Sequence, residues 1–323
     1  MRALLAATAV VLMAMGSAQA QDSGPVANCQ QVRIVVPYPA GGATDVATRI
    51  VAERMMAALK RPVVVENRGG ATGNIGTIAV IKSAPDGCVL LVNATVIATF
   101  VHSMPNLPYD PHKDLMPIGG VGITPTLIVS APSVKAGTLK ELIALSKGES
   151  NGLNYSSAGY GLQQHLAMEE IARRTGAKWT HVPYKGGGPA MNDLMAGRLD
   201  VGAFLAGTTK PFVESGKLKA YAIVAEKRSP LMPDVPTTTE QGLSDMNAGV
   251  HFMLFAPAGT PEPAIALYEK TLRSIVAEPE LAERFVKIGF EATPMTAKEV
   301  DQRMRETGDR LAPLIKQLKI RLE

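Results

Sequence analysis

Three glycine-rich stretches in this chain share one chemistry. The first is Tyr38-Pro39-Ala40-Gly41-Gly42-Ala43-Thr44-Asp45. The second is Ser156-Ser157-Ala158-Gly159-Tyr160-Gly161, and the third Tyr184-Lys185-Gly186-Gly187-Gly188. Each falls between a run with strand character and a run with helical character. A helix that begins in glycine presents free backbone N–H groups and the positive end of its dipole. That arrangement receives a carboxylate or a phosphate. Glycine lets the ligand approach the backbone, and Thr44, Ser156 and Ser157 add hydroxyl donors. One such loop is an ordinary strand-to-helix connection. Three of them, spread over two halves of the chain, point to a cleft that captures a small anion and closes over it.

Catalytic patterns fare worse. Gly148-Glu149-Ser150-Asn151-Gly152 matches the G-x-S-x-G nucleophile elbow by letter. An elbow needs a strand before the serine and a helix after it. Here a helical run, Leu139 to Ser146, comes first and a strand run follows, so a polar loop is expected. There is no H-E-x-x-H, C-x-x-C or Walker A sequence. The five histidines, His102, His112, His165, His181 and His251, lack metal-ligand spacing. Asp193 and Asp200 fall on different predicted elements and make no acid/base pair. The expectation is a binding protein, with no enzyme activity, metal or cofactor.

Composition agrees. Lys+Arg 33 against Asp+Glu 29 leaves 33 − 29 = +4 on 323 residues, too weak a field to argue for nucleic acid. Aromatic residues at 5% are too few for a base-stacking platform. A hydrophobic fraction of 46% suits a packed protein and rules out a disordered chain.

The elements that must hold the loops follow from periodicity. Val32 to Val36 is a β-branched run stopped by Pro37 and Pro39. A helix then carries Val46, Ile50, Met55 and Leu59 at helical spacing. Val63 to Val65, a glycine-rich loop from Gly69 to Gly76, a helix and the strand Val89 to Val92 complete a first β-α-β-α-β series. A second cycle starts with Leu127 to Val129. Thr138 and Glu141 form the sequence of a capping box opening the next helix. Leu153 to Ser157, Thr180 to Pro183, Val201 to Leu205 and Tyr221 to Val224 read as strands, and Met191 to Met195 as a helix stopping near Gly197. His251 to Ala256 is a further strand. Ile265, Tyr268, Leu272 and Ile275 mark one more helix, and Thr296 with Glu299 caps the last. The order predicts mostly parallel sheets covered by helices. With no linker or repeat in view, one domain interrupted by another fits best.

The first twenty residues are set apart. Arg2, the apolar run Ala3 to Met15 and Ala18-Gln19-Ala20 have the make-up of a signal peptide cleaved before Gln21. No cysteine at the cleavage point suggests a lipid anchor, and no later stretch has the length of a membrane span. The chain is therefore expected to be exported. Cys29 precedes one strand and Cys88 begins another, so either a disulfide or two buried thiols is open.

At the glycine-rich residues the sequence resembles the Bug family, the substrate-binding proteins of tripartite tricarboxylate transporters. The segments that carry the resemblance include Val35 to Asp45, Val63 to Arg68, Pro85 to Gly87 and Leu107 to Pro111. Ser156 to Gly159 with His165-Leu166, Val182 to Gly186, Pro233 to Thr237 and Ala256 to Pro261 complete them. Their order and spacing span almost the whole mature chain. The resemblance implies a type II periplasmic binding-protein fold of two α/β lobes joined by crossing hinge strands. On that reading residues 28–122 and 250–323 form lobe 1 and 123–249 lobe 2, with the ligand cleft between them. It implies binding of a small carboxylate by Tyr38 to Asp45 in lobe 1. From lobe 2 it implies Ser156, Ser157, Ala158, Gly159 and Gly161, then Tyr184, Lys185, Gly186 and Gly187, with Ala206 to Thr208 closing the pocket. Asp45 either meets a ligand amino group or orders its loop. His165 either reaches the ligand or packs, and Lys185 either attracts carboxylates or stays in solvent. Cys88, His251 and Met253 depart from the family's common Tyr, aromatic and Gly.

The function so implied is a periplasmic receptor that delivers a di- or tricarboxylate, amino acid or aromatic acid to integral-membrane permease subunits. The same receptor presenting its ligand to a sensor ectodomain is the alternative, and an exported hydrolase using Ser150 a distant one. Nothing in the chain demands more than a monomer.

Overall fold

The computed structural model describes residues 24–184 and 186–322. The expected signal peptide and Lys185 lie outside them. Lobe 1 opens with β1 (Val32–Val36), α1 (Ala43–Leu59), β2 (Val63–Asn67), α2 (Asn74–Ile81), β3 (Val89–Ala94), α3 (Ile97–Ser103) and β4 (Leu115–Thr124). The chain crosses at Pro125 into β5 (Thr126–Ser130) and α4 (Leu139–Gly148). Next come β6 (Leu153–Ser157), α5 (Gln163–Thr175), β7 (Trp179–Pro183) and α6 (Gly187–Met195). The second lobe ends with β8 (Val201–Leu205), α7 (Ala206–Glu214) and β9 (Lys219–Ile223). The chain then returns through β10 (Val250–Pro257), α8 (Glu262–Val276), α9 (Pro279–Lys287), β11 (Glu291–Ala292) and α10 (Ala297–Gln317).

Two sheets result, in the orders β11-β4-β10-β3-β1-β2 and β7-β6-β8-β5-β9. They correct the expectation of mostly parallel sheets. β1 is parallel to β2 and β3, and β6 to β7 and β8. β10 runs antiparallel to β3 and β4, and β5 antiparallel to β8 and β9. The reason is the double crossing. β5 and β10 enter their sheets from the hinge, whereas β1, β3, β6 and β8 point their carboxyl ends toward it. No helical crossover separates β4 from β5, so nothing resets the chain's direction.

Hydrophobic burial follows the strand runs. Lobe 1 has one core, in which Val32, Ile34 and Leu90 from the sheet meet Met55, Tyr268 and Leu272 from the helices. Lobe 2 packs α4 and α5 on one face of its sheet and α6 on the other. The helical stripe of α8 is buried as its spacing predicts. The Thr296 cap forms a complete box, with Glu299 N donating to Thr296 Oγ1 and Thr296 N to Glu299 Oε2. The Thr138 box is only half formed: Thr138 Oγ1 accepts from Glu141 N, but the Glu141 carboxylate takes Gly137 N at 2.7 Å instead of Thr138 N. α6 starts at Gly187, earlier than the Met191 to Met195 pattern suggests, and Gly197 stands just past its end with φ +72°.

Cys29 and Cys88 are joined as a disulfide, with Cα atoms 5.3 Å apart. They sit just before β1 and β3, which pair in parallel with Arg33 opposite Val89. The bond closes a loop of 59 residues. Replacing both cysteines by serine should lower unfolding free energy by about 4 kcal/mol in the chain-entropy account, read from chemical denaturation, with a steeper slope because the unlinked unfolded chain exposes more surface. A loss near zero would show that the bond constrains nothing in the unfolded chain.

Candidate functional site

The first loop is built around Asp45. This residue stands in the first turn of α1 and is 3% exposed. Its carboxylate accepts from Gly41 N at 2.9 Å, Asn67 Nδ2 at 3.0 Å and Arg49 Nε at 3.0 Å, with a second Arg49 contact at 2.9 Å. Burial pushes its pKa up, but hydrogen bonds from Arg49, Gly41 and Asn67 outweigh that and hold it below the usual carboxylate value. Asn67 also donates to Tyr38 O at 3.2 Å, which ties the end of β2 to the same loop. Of the two roles open to Asp45, ordering the loop is the one its contacts fill. The Tyr38 hydroxyl donates to Asn93 Oδ1 at 2.9 Å, and burial raises its pKa. Ala40, Gly41 and Gly42 are exposed, and Ala43 and Thr44 half-buried, at a helix start that has no side-chain cap. Gly41 adopts φ +79°, a turn that glycine makes without strain.

The second and third loops meet each other. Gly186 N donates to Ala158 O at 2.8 Å. Ser156 and Ser157 are fully buried. Ser157 Oγ lies 2.8 Å from His181 Nε2 and bonds Gly159, while Ser156 Oγ has no partner. His165 is buried as well, and its Nδ1 accepts from Gly161 N at 3.0 Å. That bond places the imidazole proton on Nε2. His165 stacks on His181 with ring centres 4.0 Å apart, and Tyr160 lies over His165 at 4.9 Å. Burial, and for His165 the neighbouring His181, push the two pKa values down to about 3 and about 4. Both rings are neutral at pH 7. Tyr184 turns its hydroxyl to Asp193 Oδ2 at 2.7 Å on α6.

These loops and the start of α7 enclose a pocket of about 390 Å³. Ala158, Gly187, Gly188 and Thr208 line it together with Met191 and Phe204. α6 begins there at Gly186 with no side-chain cap. Thr208 donates its hydroxyl to Leu205 O at 3.0 Å. Ala206 is fully buried, with its N–H donated to Pro125 O at the hinge, and lines none of the pocket. The Tyr38 to Asp45 loop belongs to the facing lobe and is not part of this pocket either.

Three features escaped the sequence reading. The His165–His181 stack joins residues on α5 and β7. Gln163 Nε2 donates across the lobes to Thr95 Oγ1 at 3.1 Å. Gly207 and Gly289 press backbone to backbone, so a Cβ on Gly207 would fall 2.5 Å from the Gly289 Cα. None leaves a local pattern, because each pair is brought together by the sheets or by the meeting of the lobes. The elbow motif, by contrast, is resolved locally. Ser150 stands in the turn between α4 and β6, the reverse of the strand–serine–helix order that an elbow needs.

Comparison with known proteins places this geometry. The profile of the tripartite tricarboxylate transporter family receptor matches residues 47–320. The chain is 36% identical over 299 residues to BugT of Bordetella pertussis, covering 92% of this chain and 91% of that one. Among solved structures, MatC of Rhodopseudomonas palustris with bound malate superposes with a TM-score of 0.72 at 30% identity, covering 88% of this chain and 98% of that one. An R. palustris protein with adipate gives 0.78 at 27%, covering 90% and 98%. The chain belongs to this family of periplasmic solute-binding receptors, whose members are not enzymes. No helix among the described residues is long and apolar enough to cross a membrane.

The Asp45 network has a pH signature. A carboxylate with a depressed folded-state pKa contributes stability that is present above the unfolded value, about 4, and lost as pH falls through the folded one. Asp45→Asn should cost about 1–3 kcal/mol at pH 7 and remove part of the stability loss seen below about pH 4 in the unaltered chain. Denaturation curves at pH 7 and pH 3 measure both. Equal loss at the two pH values would break the argument.

Proposed function

We propose that the chain captures a small dicarboxylate in the periplasm and hands it to membrane permease subunits. The observation that carries this reading is the uncapped start of α6, at Gly187 and Gly188, opening into the pocket between the lobe 2 loops. Backbone donors and the helix dipole there suit one carboxylate. The uncapped start of α1, at Ala43 and Thr44, offers the same chemistry from the other lobe. A ligand with two carboxylates engages both lobes and favours the closed form, by as much as it binds that form better. Malate in MatC and adipate in the R. palustris relative are two such molecules. Neutral donors match what the described lining offers, since no cationic side chain faces this pocket among the described residues.

A thermal-shift series with malate, adipate and citrate tests the reading. A ligand at 100 times its dissociation constant stabilises by about 2.7 kcal/mol. Gly188→Asp isolates the α6 contribution. A Cβ at Gly188 meets open space, so the variant should fold as well as the unaltered chain. Its carboxylate would occupy the helix start itself and weaken carboxylate binding by about tenfold or more. Undiminished binding by the variant would remove α6 from the site. No response to any of the three acids, in ligand-free protein, would remove the dicarboxylate assignment.

A further inference from the structure

The lobes touch on both sides of the crossing strands. In lobe 1 the sheet order places β11 outside β4 and β10, with β3 and β1 on their other side. In lobe 2 it places β9 on one side of β5 and β8, β6 and β7 on the other. The glycine-rich loops follow β1, β6 and β7, so the cleft lies on the β1 and β6 side. There Gln163, after β6, donates to Thr95, after β3, at 3.1 Å.

A second set of contacts lies behind the strands. Ser229, which follows β9, donates its hydroxyl to Glu291 Oε1 of β11. Val286 of α9 packs against the lobe 2 cluster that holds Leu231 and Met232. Gly207, in the first turn of α7, meets Gly289, which stands just before β11. A Cβ on Gly207 would fall 2.5 Å from both the Cα and the O of Gly289.

Each glycine is anchored within its own lobe. Ala206, next to Gly207, is fully buried and donates its N–H to Pro125 O at 2.8 Å. Gly289 N donates to Val286 O at 3.1 Å and Phe290 N to Phe285 O at 2.9 Å, and both phenylalanine rings are buried in the lobe 1 core. Bulk added between the two glycines therefore pushes lobe from lobe. The two sides of the hinge act as the arms of a lever: a rotation about the crossing strands that brings the starts of α1 and α6 together carries Gly207 from Gly289 and Ser229 from Glu291.

We propose that, in a receptor whose lobes close on a ligand as proposed above, this rear interface is an opening stop that holds the cleft open and limits apparent ligand affinity. The affinity seen for a ligand is its intrinsic affinity reduced by the fraction of chains in the competent form. Loosening the rear contacts raises that fraction without touching the pocket at α6, which Gly207, Ser229 and Glu291 do not line.

Two rear variants test the proposal. Gly207→Ala wedges the contact apart, and since Gly207 is not at positive φ the alanine meets no backbone strain of its own. Glu291→Ala removes the rear hydrogen bond with no added bulk and leaves Ser229 Oγ to accept from Leu231 N. In isothermal titration each should tighten binding of whichever of malate, adipate and citrate the chain takes by about threefold or more. Each should also lower the radius of gyration of the ligand-free protein in small-angle X-ray scattering. Thr95→Val, which removes the hydroxyl that Gln163 bonds on the cleft side, should weaken binding instead. Melting temperatures confirm that the variants fold, and Glu291→Ala decides the matter should Gly207→Ala not fold. Unchanged or weaker binding in a folded rear variant, an unchanged radius, or tighter binding by Thr95→Val overturns the proposal. Should none of the three acids bind the unaltered chain, the dicarboxylate reading fails, while the ligand-free scattering still decides whether the rear contacts hold the lobes open.

Discussion

The double crossing of the backbone between the lobes is the constraint on which the remaining structure depends. The outward crossing is a single residue, Pro125, between β4 and β5. Proline has no N–H to satisfy, and its carbonyl accepts from Ala206 N at 2.8 Å. The return crossing lies beside it, with Val250 paired to Thr124. Thr126 stitches the two, its hydroxyl donating to Ala248 O at 2.6 Å and its carbonyl accepting from Val224 N at 2.9 Å. Gly249 permits this closeness, since a Cβ there would fall 2.4 Å from the Ile123 Cδ1. Strand direction, sheet order and the facing of the glycine loops all follow from where these two crossings stand.

Around that hinge the two lobes treat their helix starts differently. In lobe 1 the loop before α1 is made rigid from within, because Asp45 gathers Gly41, Arg49 and Asn67 onto one carboxylate. In lobe 2 the loop before α5 is held by His165, which takes Gly161 N and leans on His181. The side chains that organise the loops are thus turned inward, while the backbone donors at the starts of α1 and α6 are left without side-chain caps. A loop ordered before the ligand arrives does not charge its ordering entropy against binding. Among the described helices α4 and α10 carry side-chain caps, from Thr138 and Thr296, while α3, α7, α8 and α9 also begin without one although no glycine-rich loop precedes them.

How much of this was legible in the chain depends on whether the signal is local. The β-branched runs, the stripe of α8 and the Thr296 box are contained within a few residues each, and the structure forms them where the spacing places them. The two-lobe fold was carried by the order of many weak motifs, no one of which specifies it. The antiparallel direction of β5 and β10 was not legible, because alternation along a strand says nothing about which way its neighbours run. Asp45 could be placed in a first helical turn but not assigned a partner, since Asn67 reaches it from another strand. The His165–His181 stack and the Gln163–Thr95 bridge depend on pairs 16 and 68 residues apart, and the Gly207–Gly289 contact is visible only once both lobes are in place.

If the chain closes on its ligand as proposed, the interlobe contacts limit how strongly the closed form is favoured without it. The Gln163–Thr95 bond joins two neutral groups and contributes about 0.5–1.5 kcal/mol. The Gly207–Gly289 contact is bare backbone against bare backbone, with no apolar side chain to bury. The tail beyond α10 adds a further brace, where Leu322 N donates to Ser103 O at 2.7 Å and Ile320 packs against Leu166 and Leu311. That brace spans both lobes on one flank. Moving such an equilibrium from mostly open to mostly closed needs a ligand that prefers the closed form by about 5.5 kcal/mol. On the proposed reading, two carboxylates, one on each uncapped helix start, would supply that preference, since each charge-assisted hydrogen bond contributes about 1.5–3 kcal/mol and the second set would be made only when the lobes come together.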